Sequence, residues 1–166
     1  RIANGQGKSL TLLVDGGGTR VPPEYDTVVR ECVHLVRNAV DHGIELPHER
    51  EAQGKSPDGR ITLSAAENEA GTLLTVADDG RGVDWGAIAR KAKDMGLPYD
   101  TQADLDAAFF TDELSTRDKV TALSGRGVGT SAMARAVEAA GGRIKVKSAL
   151  HEGTTIEVYL PRPEAR

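Results

Sequence analysis

Some residues in this sequence are of types and spacings that do chemistry. Between positions 31 and 42, Glu31, His34, Asn38, Asp41 and His42 fall on one arc about 100° wide when wound at helical periodicity. A solvated face of an amphipathic helix would also be polar. This one lacks lysine and gathers short ligand-type side chains that can converge on one bound group. Asn38 offers a neutral oxygen of the kind a hard cation such as Mg²⁺ takes, and the histidines offer nitrogens that titrate near neutral pH. Further on, Asp78 follows the apolar run Leu73-Leu74-Thr75-Val76 and stands where a buried strand leaves the core. A carboxylate there needs a donor. The exocyclic amine of a base is one such donor, and Gly80 and Gly82 would let a ring approach the backbone. The same residues also read as a plain Asp-Asp-Gly turn.

A second glycine cluster, Gly125-Arg126-Gly127-Val128-Gly129, precedes a helical pattern with Val128, Ala132, Met133, Ala136 and Val137 on one side. Glycines at a helix N-terminus present N–H groups and the positive end of the dipole to phosphates. The segment before them is polar and not a buried strand, which excludes the dinucleotide fingerprint. Gly129 is followed by Thr130-Ser131, so the Gly-Lys-Ser/Thr phosphate loop is absent too.

The elements that must position these groups follow from the patterning. Strands are expected over 8–14, 60–66, 72–77, 143–149 and 154–160. A long helix should open at Pro22-Pro23 and run to about Asp41, with Gly43 as its stop and one apolar arc of Val28, Val29, Cys32, Val33, Leu35, Val36, Ala39 and Val40. Shorter helices fit 47–53, 84–95 and 102–110, and another runs from Gly129 to Gly141-Gly142. Strands and helices do not alternate strictly, so an α+β fold is expected, with helices layered on one mixed sheet.

In order along the chain, these pieces resemble a known family. The run His34-Leu35-Val36-Arg37-Asn38-Ala39-Val40-Asp41-His42-Gly43-Ile44-Glu45 resembles the N box of chemotaxis-type histidine kinases, nearly residue for residue. Asp78-Asp79-Gly80-Arg81-Gly82-Val83-Asp84 resembles their G1 box. Phe110, Ser115-Thr116, Lys119-Val120 and Ser124-Gly125-Arg126-Gly127-Val128-Gly129 resemble the F box running into the G2 box, and Gly153-Thr154-Thr155 with Leu160-Pro161 the last hairpin.

The resemblance implies the Bergerat fold of the GHKL class: a two-layer α/β sandwich with a mobile ATP lid at about 83–124. It implies ATP and Mg²⁺ as ligands. By carry-over, Asp78 receives the adenine amino group beside Gly80 and Gly82, and Asn38 binds Mg²⁺. His34 stands where gyrase-like relatives place a catalytic glutamate and arranges metal and phosphates. His42 and Lys91 face the phosphates, Gly125, Arg126, Gly127 and Gly129 close over them, and Thr154 orders water around Asp78. Asp112-Glu113-Leu114 departs from the family's Pro-Gly-Phe, Thr130-Ser131 from its Met-Asp, and Ala87 stands where relatives can carry a basic residue.

The implied reaction is transfer of the γ-phosphoryl of Mg-ATP to a histidine on another domain. None of the four histidines is in a helical acceptor motif: His34 and His42 belong to the site, and His48 and His151 fall in loops. The histidine-containing phosphotransfer domain, the dimerisation domain and any receptor-coupling contact are therefore expected elsewhere, with a response regulator downstream. Rival readings are a gyrase- or chaperone-type ATPase, which expects Glu at position 34, and a nucleotide-binding adaptor without turnover.

Composition bounds these readings. The 166 residues suit one domain spanning 1–166, and Arg1 and the polar end read as the edges of a piece of a larger chain. A net charge of -4 gives no support to nucleic-acid binding, and no apolar run reaches membrane-spanning length. Cys32 is the sole cysteine, which excludes an internal disulfide framework and fits a reducing, cytoplasmic setting.

Overall fold

The computed structural model describes residues 2–3, 7–111 and 130–163, with the backbone alone for Ile2–Ala3. The expected Gly125, Arg126, Gly127 and Gly129 cluster, and the lid from 112 onward, lie outside the described residues.

Alternation of apolar and polar residues produces the strands. In order they are β1 (Ile2–Ala3), β2 (Ser9–Asp15), β3 (Gly59–Asn68), β4 (Gly71–Asp78), β5 (Arg143–Ala149) and β6 (Gly153–Pro161). They form one six-stranded sheet in the order β1-β2-β3-β4-β6-β5. The β2–β3 pair is parallel and the others are antiparallel, so the sheet is mixed as expected.

Helices cover one face. After a 3-10 turn at Pro23–Tyr25 come α1 (Asp26–Asn38), a π-turn (Ala39–Gly43), α2 (Pro47–Ala52), α3 (Trp85–Asp94), α4 (Gln102–Phe109) and α5 (Thr130–Ala139). Proline opens the 3-10 turn because its fixed φ suits a helical first turn and its missing N–H costs nothing there. Asp84 caps α3 by accepting from Ala87 N at 2.9 Å, and Thr101 caps α4 with Asp104 reciprocating.

The main core lies between the sheet and the α1/α5 pair. Val28, Cys32 and Leu35 of α1 and Met133 and Val137 of α5 pack on Leu74, Val76, Ile156, Val158 and Leu160. A second cluster of Leu10, Ala39, Ile44 and Ile61 sits under the π-turn, and a third joins Ala92 of α3 to Ala108 of α4. The apolar arc of α1 is narrower than its sequence reads: Val33 is 63% exposed and Val29 37%. Val28, Cys32 and Leu35 are the α1 residues buried in the main core and Val36 packs against it partly buried, while Val29 and Val33 face outward.

Burial sets the expected response to truncation. Leu160→Ala, at a site with no exposure, should lower unfolding free energy by about 2–5 kcal/mol. Val33→Ala should stay within about 0.5 kcal/mol of the parent in the same denaturant titration.

Candidate functional site

The residues singled out above converge at the C-terminal end of β4. Asp78 is its last residue, paired in register with Thr154 of β6 and Ile61 of β3. Its carboxylate Oδ1 accepts from Gly80 N at 2.9 Å, and the Thr154 backbone N–H also donates to it. Burial pushes the Asp78 carboxyl above its ordinary value of 3.8, the two N–H donors pull it down, and the negative charges of Asp79 and Glu45 push it up again. A carboxylate held this way seeks another donor.

Glycines make the room around it. A side chain on Gly43 would begin 3.5 Å from both carboxylate oxygens of Asp78. One on Gly80 would come within 2.3 Å of the Gly43 carbonyl, and one on Gly153 within 2.0 Å of the Asp78 carbonyl. Gly82 takes φ +70° with its backbone against Ala149 O, so only glycine fits there without strain. The loop after Asp78 is thereby fastened on both sides. Arg81 N donates to Gly43 O at 2.9 Å, and His151 N donates to Arg81 O at 2.7 Å. Val83 N reaches Ser148 Oγ at 2.8 Å, and Ser148 Oγ lies 3.0 Å from Thr154 Oγ1.

The polar stripe of α1 runs toward the same place. His34 and Asn38 are half-buried, Asn38 closes α1, and the helix then widens into the π-turn that carries Asp41, His42 and Gly43. Gly43 does not end the helix in a left-handed cap as its sequence context suggests. Instead Ile44 N donates to Ala39 O at 2.8 Å, an i→i−5 bond. Lys8, only 7% exposed, donates its ammonium to Val40 O and Asp41 O at 2.7 Å each and so holds carbonyls that widening releases. Burial lowers the Lys8 pKa, and the charge of Arg81 lowers it further.

Asp78, Gly80, Gly82 and Thr154 are therefore brought together, with Gly43 linking them to the helix bearing His34, Asn38 and His42. Lys91 sits half-buried on α3, a separate element past the loop. Local pattern did not mark Gly43 and Gly153 as walls of the site, or Lys8 as an anchor. Their signal was present only as a glycine beside a histidine, a hairpin glycine and a lysine in a strand. Among the described residues no group of three His, Cys, Asp or Glu could hold a metal. A cation here would have Asn38 as a neutral oxygen ligand and the rest of its shell from a bound anion and water, the manner usual for Mg²⁺.

Comparison with known proteins fits this geometry. Residues 27–164 match the family described as histidine kinase-, DNA gyrase B-, and HSP90-like ATPase. The chain is 36% identical over 165 residues to chemotaxis protein CheA of Rhizobium meliloti (strain 1021), covering 96% of this chain and 22% of that protein. It is 34% identical to CheA of Salmonella typhimurium, covering 96% and 24%. The chain thus spans about a quarter of the length of the curated relatives it matches. In fold it is similar to the histidine kinase domain of the Erythrobacter litoralis blue-light activated histidine kinase, with TM-score 0.53, 17% identity, and coverage of 92% of this chain and 52% of that one.

The burial of Asp78 has a measurable consequence. Its folded pKa is raised, so the ionised form destabilises the fold at neutral pH, and that cost disappears as pH falls toward the ordinary 3.8. Asp78→Asn, which keeps an oxygen for Gly80 N, should match or exceed the parent in melting temperature at pH 7. The advantage should shrink steadily in melts taken down to pH 4.

Proposed function

The chain belongs to the histidine kinase-, DNA gyrase B- and HSP90-like ATPase family, and from that premise we propose that its site binds Mg-ATP for phosphoryl transfer to a histidine on a separate phosphotransfer domain. The observation that carries the reading is the Asp78 carboxylate. It is half-buried at a strand end, holds N–H donors from Gly80 and Thr154, and has Gly43 beside it with no side chain against its oxygens. Adenine supplies the missing donor in its exocyclic amino group. The ring then lies beside Gly80 and Gly82, whose lack of side chains lets this loop pack against Gly43 O and Ala149 O.

From the base, the triphosphate extends toward the polar stripe of α1. Asn38 holds Mg²⁺ through its amide oxygen, and His34 orients the phosphate end from one turn earlier. His42 on the π-turn and Lys91 on α3 supply positive or hydrogen-bonding contacts to the phosphates. Gly125, Arg126, Gly127 and Gly129 would close over them. Mg²⁺, when bound, neutralises phosphate charge as the transferred group leaves. Phosphoryl transfer needs positioning and charge stabilisation more than a protein nucleophile, which accords with a site that has none.

His34 favours the kinase reading over a hydrolytic ATPase. A carboxylate at that position would serve as general base to activate water, whereas a histidine beside Asn38 leaves the γ-phosphoryl for an acceptor brought in from outside. In this reading the acceptor domain, the dimerisation domain, the receptor-coupling protein and the response regulator lie outside this chain, which covers 22% and 24% of two relatives named chemotaxis protein CheA. A cytoplasmic setting is part of the same proposal. It is supported by the single buried thiol of Cys32, and among the described residues no helix is long and apolar enough to cross a membrane.

Calorimetric titration and radiolabelled transfer test the two halves. Asp78→Ala should weaken ATP binding by about 10–100-fold. Asn38→Ala should remove the Mg²⁺ dependence of binding and abolish transfer to a supplied phosphotransfer domain. Unchanged ATP binding in both variants would remove the site assignment. Tight binding with no transfer by the parent chain would favour an adaptor.

A further inference from the structure

Outside the residues assigned to the nucleotide lies the most buried charged cluster among the described residues. Arg50 is 1% exposed and Glu45 2%, and both lie beyond the apolar core clusters, against the loop that follows Asp78. Arg50 Nη1 donates to Glu45 Oε2 at 2.9 Å and to Asp79 O at 3.1 Å, its Nη2 to Asp79 Oδ2 at 3.0 Å, and its Nε to Ser56 O at 2.7 Å. Lys55 Nζ donates to Glu45 Oε1 at 2.8 Å, to Asp79 O at 3.1 Å and to Gly80 O at 2.7 Å. Both cations thus reach past their shared carboxylate to Asp79 O, and Lys55 also takes the next carbonyl, Gly80 O.

The direction of those bonds matters more than their number. Asp79 C=O and Gly80 N–H belong to one planar trans peptide and point opposite ways. With Asp79 O drawn to Arg50 and Lys55, the Gly80 N–H must point back, and there it meets Asp78 Oδ1 at 2.9 Å. Arg60 N holds the other Asp79 carboxylate oxygen at 2.8 Å, which stops the side chain from rotating to let the peptide turn over. An ion cluster this buried adds little net stability, since desolvation offsets much of its attraction. Its effect is on orientation.

We propose that Glu45, Arg50 and Lys55 are positioning residues for base recognition: they fix the tilt of the Asp79–Gly80 peptide and thereby the donor set of the Asp78 carboxylate. The proposal rests on the reading of Asp78 as the acceptor for an exocyclic amino group. Without the clamp the peptide is free to tilt, Gly80 N–H leaves Asp78, and discrimination for an amino-bearing base falls. Phosphate contacts, made elsewhere, persist.

The test compares Mg-ATP with Mg-inosine triphosphate, which presents a carbonyl where adenine has the amino group, by calorimetric titration on this chain. Lys55→Met removes three of the bonds; the charge-balanced pair E45Q/K55M guards against misfolding from the negative charge left in excess in the cluster, and Lys55→Arg is the conservative rescue. In the first two proteins ATP affinity should fall about tenfold while inosine triphosphate binding stays within about twofold, so the preference collapses. Lys55→Arg should restore it. A lowered melting temperature with the ATP preference intact would make the cluster purely structural and overturn the proposal. Asp78→Asn in the same titration separates the layers. Loss of preference in Asp78→Asn with its retention in Lys55→Met and E45Q/K55M overturns the clamp alone. Retention of preference in Asp78→Asn overturns the clamp together with the base reading beneath it.

Discussion

A half-buried carboxylate at the end of a central strand constrains everything around it. Asp78 cannot be left without donors, and under the proposed function it cannot be crowded, because the base must reach it. Both requirements are met with backbone. Gly80 and Thr154 give N–H groups, while Gly43, Gly80 and Gly153 approach so closely that a side chain on Gly80 or Gly153 would strike a carbonyl. The antiparallel pairing of β4 with β6 sets Thr154 opposite Asp78, so sheet register is part of the site's chemistry.

The helix layer answers the same constraint from the other side. α1 delivers its polar stripe toward the strand end, but a regular helix would carry Gly43 past Asp78. Widening into a π-turn brings the glycine beside the carboxylate, and Lys8 takes up Val40 and Asp41 carbonyls. The loop after Asp78 then bonds to Gly43 on one flank and to the β5–β6 hairpin through Ser148 and His151 on the other. Three backbone segments are thus fixed around one acid, and in the proposed function they form the seat of the base.

Much of this was legible in the sequence. The strands 60–66 and 72–77 read from alternation became Gly59–Asn68 and Gly71–Asp78, and the helix expected over 102–110 became Gln102–Phe109. Period and punctuation are local signals, and these elements obey them. Asp78 and Gly80 share one contiguous motif, and the family resemblance, not local pattern, pointed to Thr154 beside them. What escaped reading depends on contacts between distant segments. Gly43 looks like a helix stop because its role is set by Asp78, thirty-five positions later in the numbering. Glu45, Arg50 and Lys55 look like ordinary surface charges, as their burial comes from the loop at Asp79. Val33 looks apolar and inward, yet it sits on the side of α1 turned away from the core.

The central claim is that a nucleotide docks at the end of β4 between the π-turn and the hairpin. Amide chemical shifts followed during titration with Mg-ADP test it most directly. The account predicts saturable shifts concentrated at Gly43, Gly80, Gly82 and Thr154, with smaller ones at His34 and Asn38, and silence on the outer strand residues Lys145 and Lys147. Shifts clustered on β5 with Gly43 and Gly80 unmoved would contradict it.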